Sequence, residues 1–367
     1  MTKKYYVFIV FCVFIGLIAP FAIAQYPERR IPKWKVVSVY PANVPIFNNG
    51  IEKFARDIKT ETNGQLDIQV YAAREPIEDI NKSLEPYDVF DAVSNGTVEM
   101  GFGASGYWAD KVPECIFMYS VPFGLDAAGM HAWLYSGGGL QLWKELFEPY
   151  NILPFPVGNT GDAMGGWFER KIEKIEDFKG LVIRMSGVCS TIYEKAGAKE
   201  KWMVAAESLD AFKRKEIDAI ICQGPFNDQH HKFYRGPKYY YYPGWQEPGG
   251  VLSIIISKKA WDSLTPDLQQ KIETVREKTY QFISNQFDSM NSKALVELVE
   301  KEGVTLVEFP PVVLDQLERI SREVLDEEAA KNQQFKKVYE AFKKFKKENT
   351  NFGWRGNLDA VIKKIKK

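Results

Sequence analysis

The stretch IEKFARDIKTETNGQLDIQV, residues 51–70, carries a helix, its stop and a strand in succession. Ile51, Phe54, Ala55 and Ile58 fall at i, i+3, i+4 and i+7, the apolar stripe of an amphipathic helix. Asn63-Gly64 supplies the stop. Leu66, Ile68 and Val70 then alternate with Asp67 and Gln69, the period of two of a half-buried strand. Upstream, residues 35–39 read as an apolar strand. Strand, helix, strand in this order opens a parallel α/β sheet, so the fold class is α/β.

A weak echo of this unit recurs. Phe90-Asp91-Ala92-Val93 is followed by Val98-Glu99, and Leu209-Asp210-Ala211-Phe212 by Ile217-Asp218 at the same offset. Each is a passage from helix to strand, and the two lie far enough apart to suggest two similar lobes. A second α/β unit opens near Lys174-Ile175, with residues 181–183 as an apolar strand ending on Arg184. Residues 251–256 form a continuous run, apolar but for Ser253, suited to a strand buried on both faces and returning toward the first lobe. Thr265-Pro266 then reads as the cap and first turn of a long helix running toward Gly303. After a short strand at residues 304–309, further helices carry Leu314, Leu317 and Val324, then Phe335, Val338, Phe342 and Phe345. That last stripe is a packing face or a dimer face.

The ends and the composition bound the setting. Lys3-Lys4, the apolar residues 5–21 and Ala22-Ile23-Ala24 describe a secretory leader cleaved after Ala24. The mature protein is then expected outside the cytoplasm. Of four cysteines, Cys12 leaves with the leader; Cys115, Cys189 and Cys222 are odd in number and irregularly spaced, which favours buried free thiols over a disulfide framework. Basic and acidic residues balance at 48 each, giving no general attraction to nucleic acid or an anionic membrane. The terminal Lys363-Lys364-Ile365-Lys366-Lys367 reads as a solvated end. No metalloprotease, nucleophile-elbow or phosphate-loop motif is present, and His230-His231 are neighbours that face different ways, so nothing argues for an enzyme.

In open α/β sheets ligands bind beyond the carboxyl ends of the strands. Arg184 stands at such a place, before Ser186-Gly187, where its planar fork suits a carboxylate. From position alone it could equally be a surface arginine paired with a local acid.

Longer strings give the chain a family likeness. Val89-Phe90-Asp91-Ala92-Val93 through Gly96-Thr97-Val98-Glu99-Met100-Gly101, Val121-Pro122-Phe123-Gly124-Leu125, Gly158-Asn159-Thr160-Gly161 through Gly165-Gly166-Trp167-Phe168, and Tyr239-Tyr240-Tyr241-Tyr242-Pro243-Gly244-Trp245 resemble the DctP-type solute-binding proteins of tripartite ATP-independent periplasmic (TRAP) transporters, in their 2-oxo acid-binding branch. The likeness runs over residues 34–345. It implies a two-lobed periplasmic binding protein fold with hinge strands, a long C-terminal helical region and closure on ligand by a hinge motion. On that plan residues 1–24 are the leader, 34–153 the first part of lobe I, 154–250 lobe II, 251–349 a return to lobe I with C-terminal helices, and 350–367 a basic tail. The implied partners are a small organic acid and two membrane subunits, and no nucleic acid; some members of the branch dimerise through an exchanged C-terminal helix, which residues 335–345 would permit. The family's carboxylate-binding arginine falls on Arg184.

Departures from the branch bear on the ligand. There a metal ion helps bind the substrate, with a glutamine two positions after Gly-Asn-Thr-Gly and a Glu-Trp pair before Gly-Pro. Here those positions are Ala163, and Ile221-Cys222 ahead of Gly224-Pro225. Neither alanine nor isoleucine offers the oxygen donor a hard cation wants, so no metal or other cofactor is expected. Asp162, one residue away, could substitute for the missing glutamine or be a plain loop acid. The smaller side chains imply a larger, less polar pocket and a monocarboxylate bulkier or more apolar than pyruvate. Asn159, Asp162, Ala163, Cys222, Gln223, Phe226, Tyr107, Trp108 and Trp245 join Arg184 as candidate lining residues. Residues 74–88 form a connection longer than the family's, with no role evident from the sequence. A binding protein that reports to a sensor would share the whole pattern; a periplasmic enzyme using the cleft is the weaker alternative.

Overall fold

The computed structural model describes residues 31–185, 187–349 and 358–366, with backbone alone for 358–360. The expected leader at 1–24, Ser186 and residues 350–357 lie outside the described residues.

β1 (Lys33–Ser38) and β2 (Asp67–Ala72) pair in parallel, Lys33 opposite Asp67 and Ser38 opposite Ala72. The helix Lys53–Glu61 connects them and buries Phe54, Ala55 and Ile58, the stripe its spacing predicts. After the helix Val89–Ser94, β3 (Met100–Ala104) lies parallel on the other side of β1. β4 (Ile152–Asn159) follows and leads the chain across.

The second sheet takes β5 (Gly166–Phe168), β6 (Val182–Arg184), β7 (Lys199–Glu200), β8 (Ala219–Ile220) and β9 (Tyr239–Tyr242). β10 (Val251–Ser257) then returns to the first sheet, buried throughout, and inserts between β3 and β4 antiparallel to both. β11 (Thr305–Glu308) goes back to the second sheet, parallel to β9. The strand orders are β2-β1-β3-β10-β4 and β11-β9-β5-β8-β6-β7.

Neighbouring residues on the second sheet feed opposite cores, as strand alternation requires. Phe168 and Tyr241 join Ile183, Phe309 and Leu317 on one side. Trp167 and Tyr240 join Ile220, Leu295 and Leu298 on the other.

Two helices tie the lobes together. The long helix Pro266–Glu300 is capped by Thr265, whose side chain accepts from the Leu268 amide at 3.3 Å. Its Ile272, Val275 and Ile283 lie in the first core, while Leu295 and Leu298 lie under the second sheet. The helix Pro311–Lys331 does the same, with Leu314 and Leu317 in the second lobe and Leu325 and Ala329 in the first.

Three placements differ from the sequence reading. The first sheet keeps the chain through Asn159, so lobe II starts later than residue 154. β11 and most of the helix Pro311–Lys331 belong to the second lobe, so residues 251–349 are no simple return to the first. The tail is not merely a solvated end: Leu358–Ile365 is a helix, Ile362 is buried against the second lobe, and Lys366 donates to the Tyr242 hydroxyl. The helix Gln333–Glu348 lays Phe335, Tyr339 and Phe342 on Phe117, and Phe345 on Trp133, so the stripe read as a packing or dimer face is covered by its own chain.

Candidate functional site

A chamber of about 1130 Å³ opens between the two sheets and takes walls from both. Arg184 enters it from the last residue of β6. Its Nε donates to the Met203 carbonyl at 3.0 Å and its Nη1 to the Ile221 carbonyl at 2.7 Å. Two backbone acceptors therefore fix the guanidinium plane. The N–H groups on Nη2 are left for another acceptor. Among the described residues the guanidinium is held by these two carbonyls and forms no ion pair with a local acid.

Facing it are groups that single residues in the sequence did not announce. Glu247 keeps part of its surface open to the chamber and bonds to the Tyr119 hydroxyl. Removal from bulk water pushes its carboxyl up to about 7, against the pull of Tyr119 and of the Arg184 charge. The Tyr40 hydroxyl lies beside Gln223, yet it finds no partner within hydrogen-bond geometry among the described residues. The buried Gln246 spends its amide N–H on the Met164 carbonyl at 2.6 Å and leaves its oxygen unpaired.

Behind Cys222 lies a second acid. Asp228 accepts from Trp167 Nε1 at 2.9 Å and from the Tyr240 hydroxyl at 2.6 Å. Burial still raises its carboxyl to about 6; the burial of Cys222 itself, and after it the Asp228 charge, push the Cys222 thiol up to about 12. His231, another wall residue, is driven down to about 4 by burial and stacks on Phe233.

Of the ten candidate lining residues, the structure brings Arg184, Cys222, Gln223 and Tyr107 to the chamber wall, with Ile221. The other six belong to supporting structure. Trp108 is buried against Phe90 and Phe147 in the first core, and Trp245 stacks on Phe123 in the second. Phe226 packs on Phe287 of the long helix. Asn159 turns its side-chain oxygen to the Gly161 amide at 2.8 Å. Asp162 and Ala163 are buried in the crossing segment, where the Ala163 amide donates to the Glu247 carbonyl at 3.3 Å. Such residues hold the backbone near the chamber without facing it. Cys115 and Cys189 are buried free thiols, while Cys222 is only half-buried.

Among the described residues no three His, Cys, Asp or Glu side chains come close enough to hold a metal ion. At the two positions where the family likeness would place metal ligands stand Ala163 and Ile221, whose side chains carry no donor atom.

Two facing α/β sheets, with a guanidinium held ready on one wall of the chamber between them, define a two-lobed solute-binding protein. A family model described as bacterial extracellular solute-binding protein, family 7 (DctP), matches residues 36–332, and the chain belongs to that family. A monocarboxylate 2-oxoacid-binding periplasmic protein of Nostoc sp. is 34% identical over 322 residues, 88% of this chain and 85% of that one. A TRAP periplasmic solute-binding protein of Pseudoalteromonas atlantica with bound sodium and pyruvate superposes with a TM-score of 0.80 at 34% identity, covering 87% of this chain and 95% of its own. One from Bordetella bronchiseptica, with calcium and picolinate in its site, gives 0.82 at 28% identity over 87% and 93%. Proteins of this family bind small organic acids and work with TRAP membrane components. No helix among the described residues is long and apolar enough to cross a membrane.

Proposed function

We propose that this protein captures a monocarboxylate bulkier than pyruvate in the periplasm, without a metal ion, and delivers it to TRAP membrane subunits. The observation that carries this reading is Arg184: a guanidinium fixed by two carbonyls, without an ion pair among the described residues, turned into a chamber of about 1130 Å³. A carboxylate that reaches it gains charge-assisted hydrogen bonds on a group whose orientation is already set.

Support for the larger body comes from the volume, which exceeds the roughly 300–1,000 Å³ usual for small-ligand pockets. The lining of the chamber is mostly apolar with a few polar groups. Tyr40, Tyr107 and Tyr119 line it together with Gln223 and Glu247, so its surface is aromatic with polar points. An aromatic or branched acid suits that surface. The metal-free part of the reading rests on Ala163 and Ile221, side chains without a donor atom at the positions where the family likeness would place ligands.

A thermal-shift series tests all of this at once. A ligand that binds only the folded state raises the melting temperature by mass action, about 2.7 kcal/mol of stability at a hundredfold excess over Kd. Pyruvate, 4-methyl-2-oxopentanoate, phenylpyruvate and benzoate would be compared with EDTA and with added calcium or sodium. The larger acids should stabilise the protein equally in both conditions. Stabilisation by pyruvate alone, and only with metal, would overturn both the size and the metal-free reading. Arg184→Lys, which keeps the charge and loses the planar fork, should weaken the best acid roughly 10- to 100-fold.

A further inference from the structure

Residues 74–88, the connection without an evident role in the sequence, form a braced rim on the first lobe. The Arg74 amide donates to the Leu84 carbonyl at 2.8 Å, and the Ile77 amide to the Lys82 carbonyl at 3.0 Å. Ile77 and Leu84 are buried in the first core. Arg74 Nε reaches back to Glu85 at 2.8 Å, and Pro86 is buried. A loop fixed at this many points presents the next residue, Tyr87, in one place.

Tyr87 faces the other lobe. Its ring meets Trp202, on the connection between β7 and β8, edge to face with centroids 5.3 Å apart. On its other side it touches Tyr107 of the chamber wall at 5.8 Å. All three rings line the chamber. Trp202 is also held from behind, because the next carbonyl, that of Met203, accepts from Arg184 Nε. Beside the ring pair, Arg74 Nη1 and Glu207 Oε1 approach to 3.8 Å, both half exposed.

We propose that residues 74–88 are the closing rim of the chamber, and that the Tyr87–Trp202 contact keeps the lobes together over a bound acid. The proposal rests on the reading of this chamber as the ligand site. The contact joins side chains from different sheets, so separation of the lobes must break it, and aromatic pairs favour the T-shaped arrangement seen here. The Arg74–Glu207 pair adds little, since exposed ion pairs are screened by water.

The chamber contains its own reporter in Cys222, which permits a test without any ligand. In the exported protein, which has lost Cys12 with its leader, Cys115→Ala and Cys189→Ser leave Cys222 as the thiol to label, and the rate at which a maleimide dye labels it measures how often the rim opens. Tyr87→Ala and Trp202→Ala should each speed labelling roughly 3- to 10-fold, the factor one aromatic pair supports. Trp202→Phe should stay close to the parent rate, and Arg74→Ala should change it by less than about 2-fold. Unaltered labelling in both ring truncations, with their melting transitions intact, would overturn the rim. Should either truncation fail to fold, Tyr87→Leu and Trp202→Leu keep the bulk, lose the ring contact and decide the same question. A failed rim would leave Arg184 untouched, and a failed carboxylate screen would leave the labelling result standing.

Discussion

At the residue scale, Glu247 gives the site a pH dependence. Its folded value, raised to about 7 by burial, stands above the ordinary 4.5, so the fold holds a proton that the unfolded chain would release. Its contribution to stability is therefore full below about 4.5 and is lost as pH rises through about 7. Asp228, raised to about 6, acts in the same direction; His231, lowered to about 4, acts in the opposite one below pH 6.5. Ligand binding follows the same sign, because an ionised Glu247 is a second negative charge in a chamber built for an anion. Affinity for a monocarboxylate should fall as pH rises from 6 to 8, and Glu247→Gln should flatten that profile when both are followed by isothermal titration. An equal slope in the variant would mean that Glu247 does not control it. Arg184 was legible from a strand end joined to a family likeness. Glu247 was not, because its character comes from Tyr119, Tyr40 and Tyr107, which tertiary folding gathers around it.

At the element scale, the long helix and the crossing strand fit through one glycine. A Cβ on Gly158 of β4 would stand 2.5 Å from Ile283 Cγ2 on the helix Pro266–Glu300, with Ile283 itself buried. Gly158→Ala should cost about 1–3 kcal/mol, the usual range for overpacking a core. Ile283→Ala makes room for the added methyl, so the double variant should lose less than the sum of the singles in denaturant titrations. Strict additivity would show that the two positions do not meet. The helix was readable because Thr265-Pro266 and Gly303 mark its ends, and β10 because its run is apolar but for Ser253. β7 and β8 have two residues each, too short for any periodicity. The assignment of β11 to the second lobe rests on pairing with β9, with Thr305 opposite Tyr239, and no local pattern carries a pairing that distant.

At the scale of the whole molecule, two lobes and the return of β10 to the first could be anticipated from the sequence, whereas the second visit of the chain to the second sheet through β11 and the way the lobes share helices could not. The helix Pro311–Lys331 buries Leu314 and Leu317 in the second lobe and Leu325 in the first; the long helix spans both cores in the same manner. Neither lobe can unfold without stripping apolar side chains from a helix that the other lobe still holds. The lobes should therefore melt together, as one calorimetric transition whose calorimetric and van't Hoff enthalpies agree. Leu317→Ala, at a fully buried position of the second core, should cost about 2–5 kcal/mol and move that transition as a whole. Lobes that were only loosely joined would give another result: a second peak left at the original temperature, carried by the first lobe, while the variant peak shifts below it. That outcome would also weaken the case for the rim, since a contact between Tyr87 and Trp202 holds ligand only where the two lobes move as parts of one cooperative body.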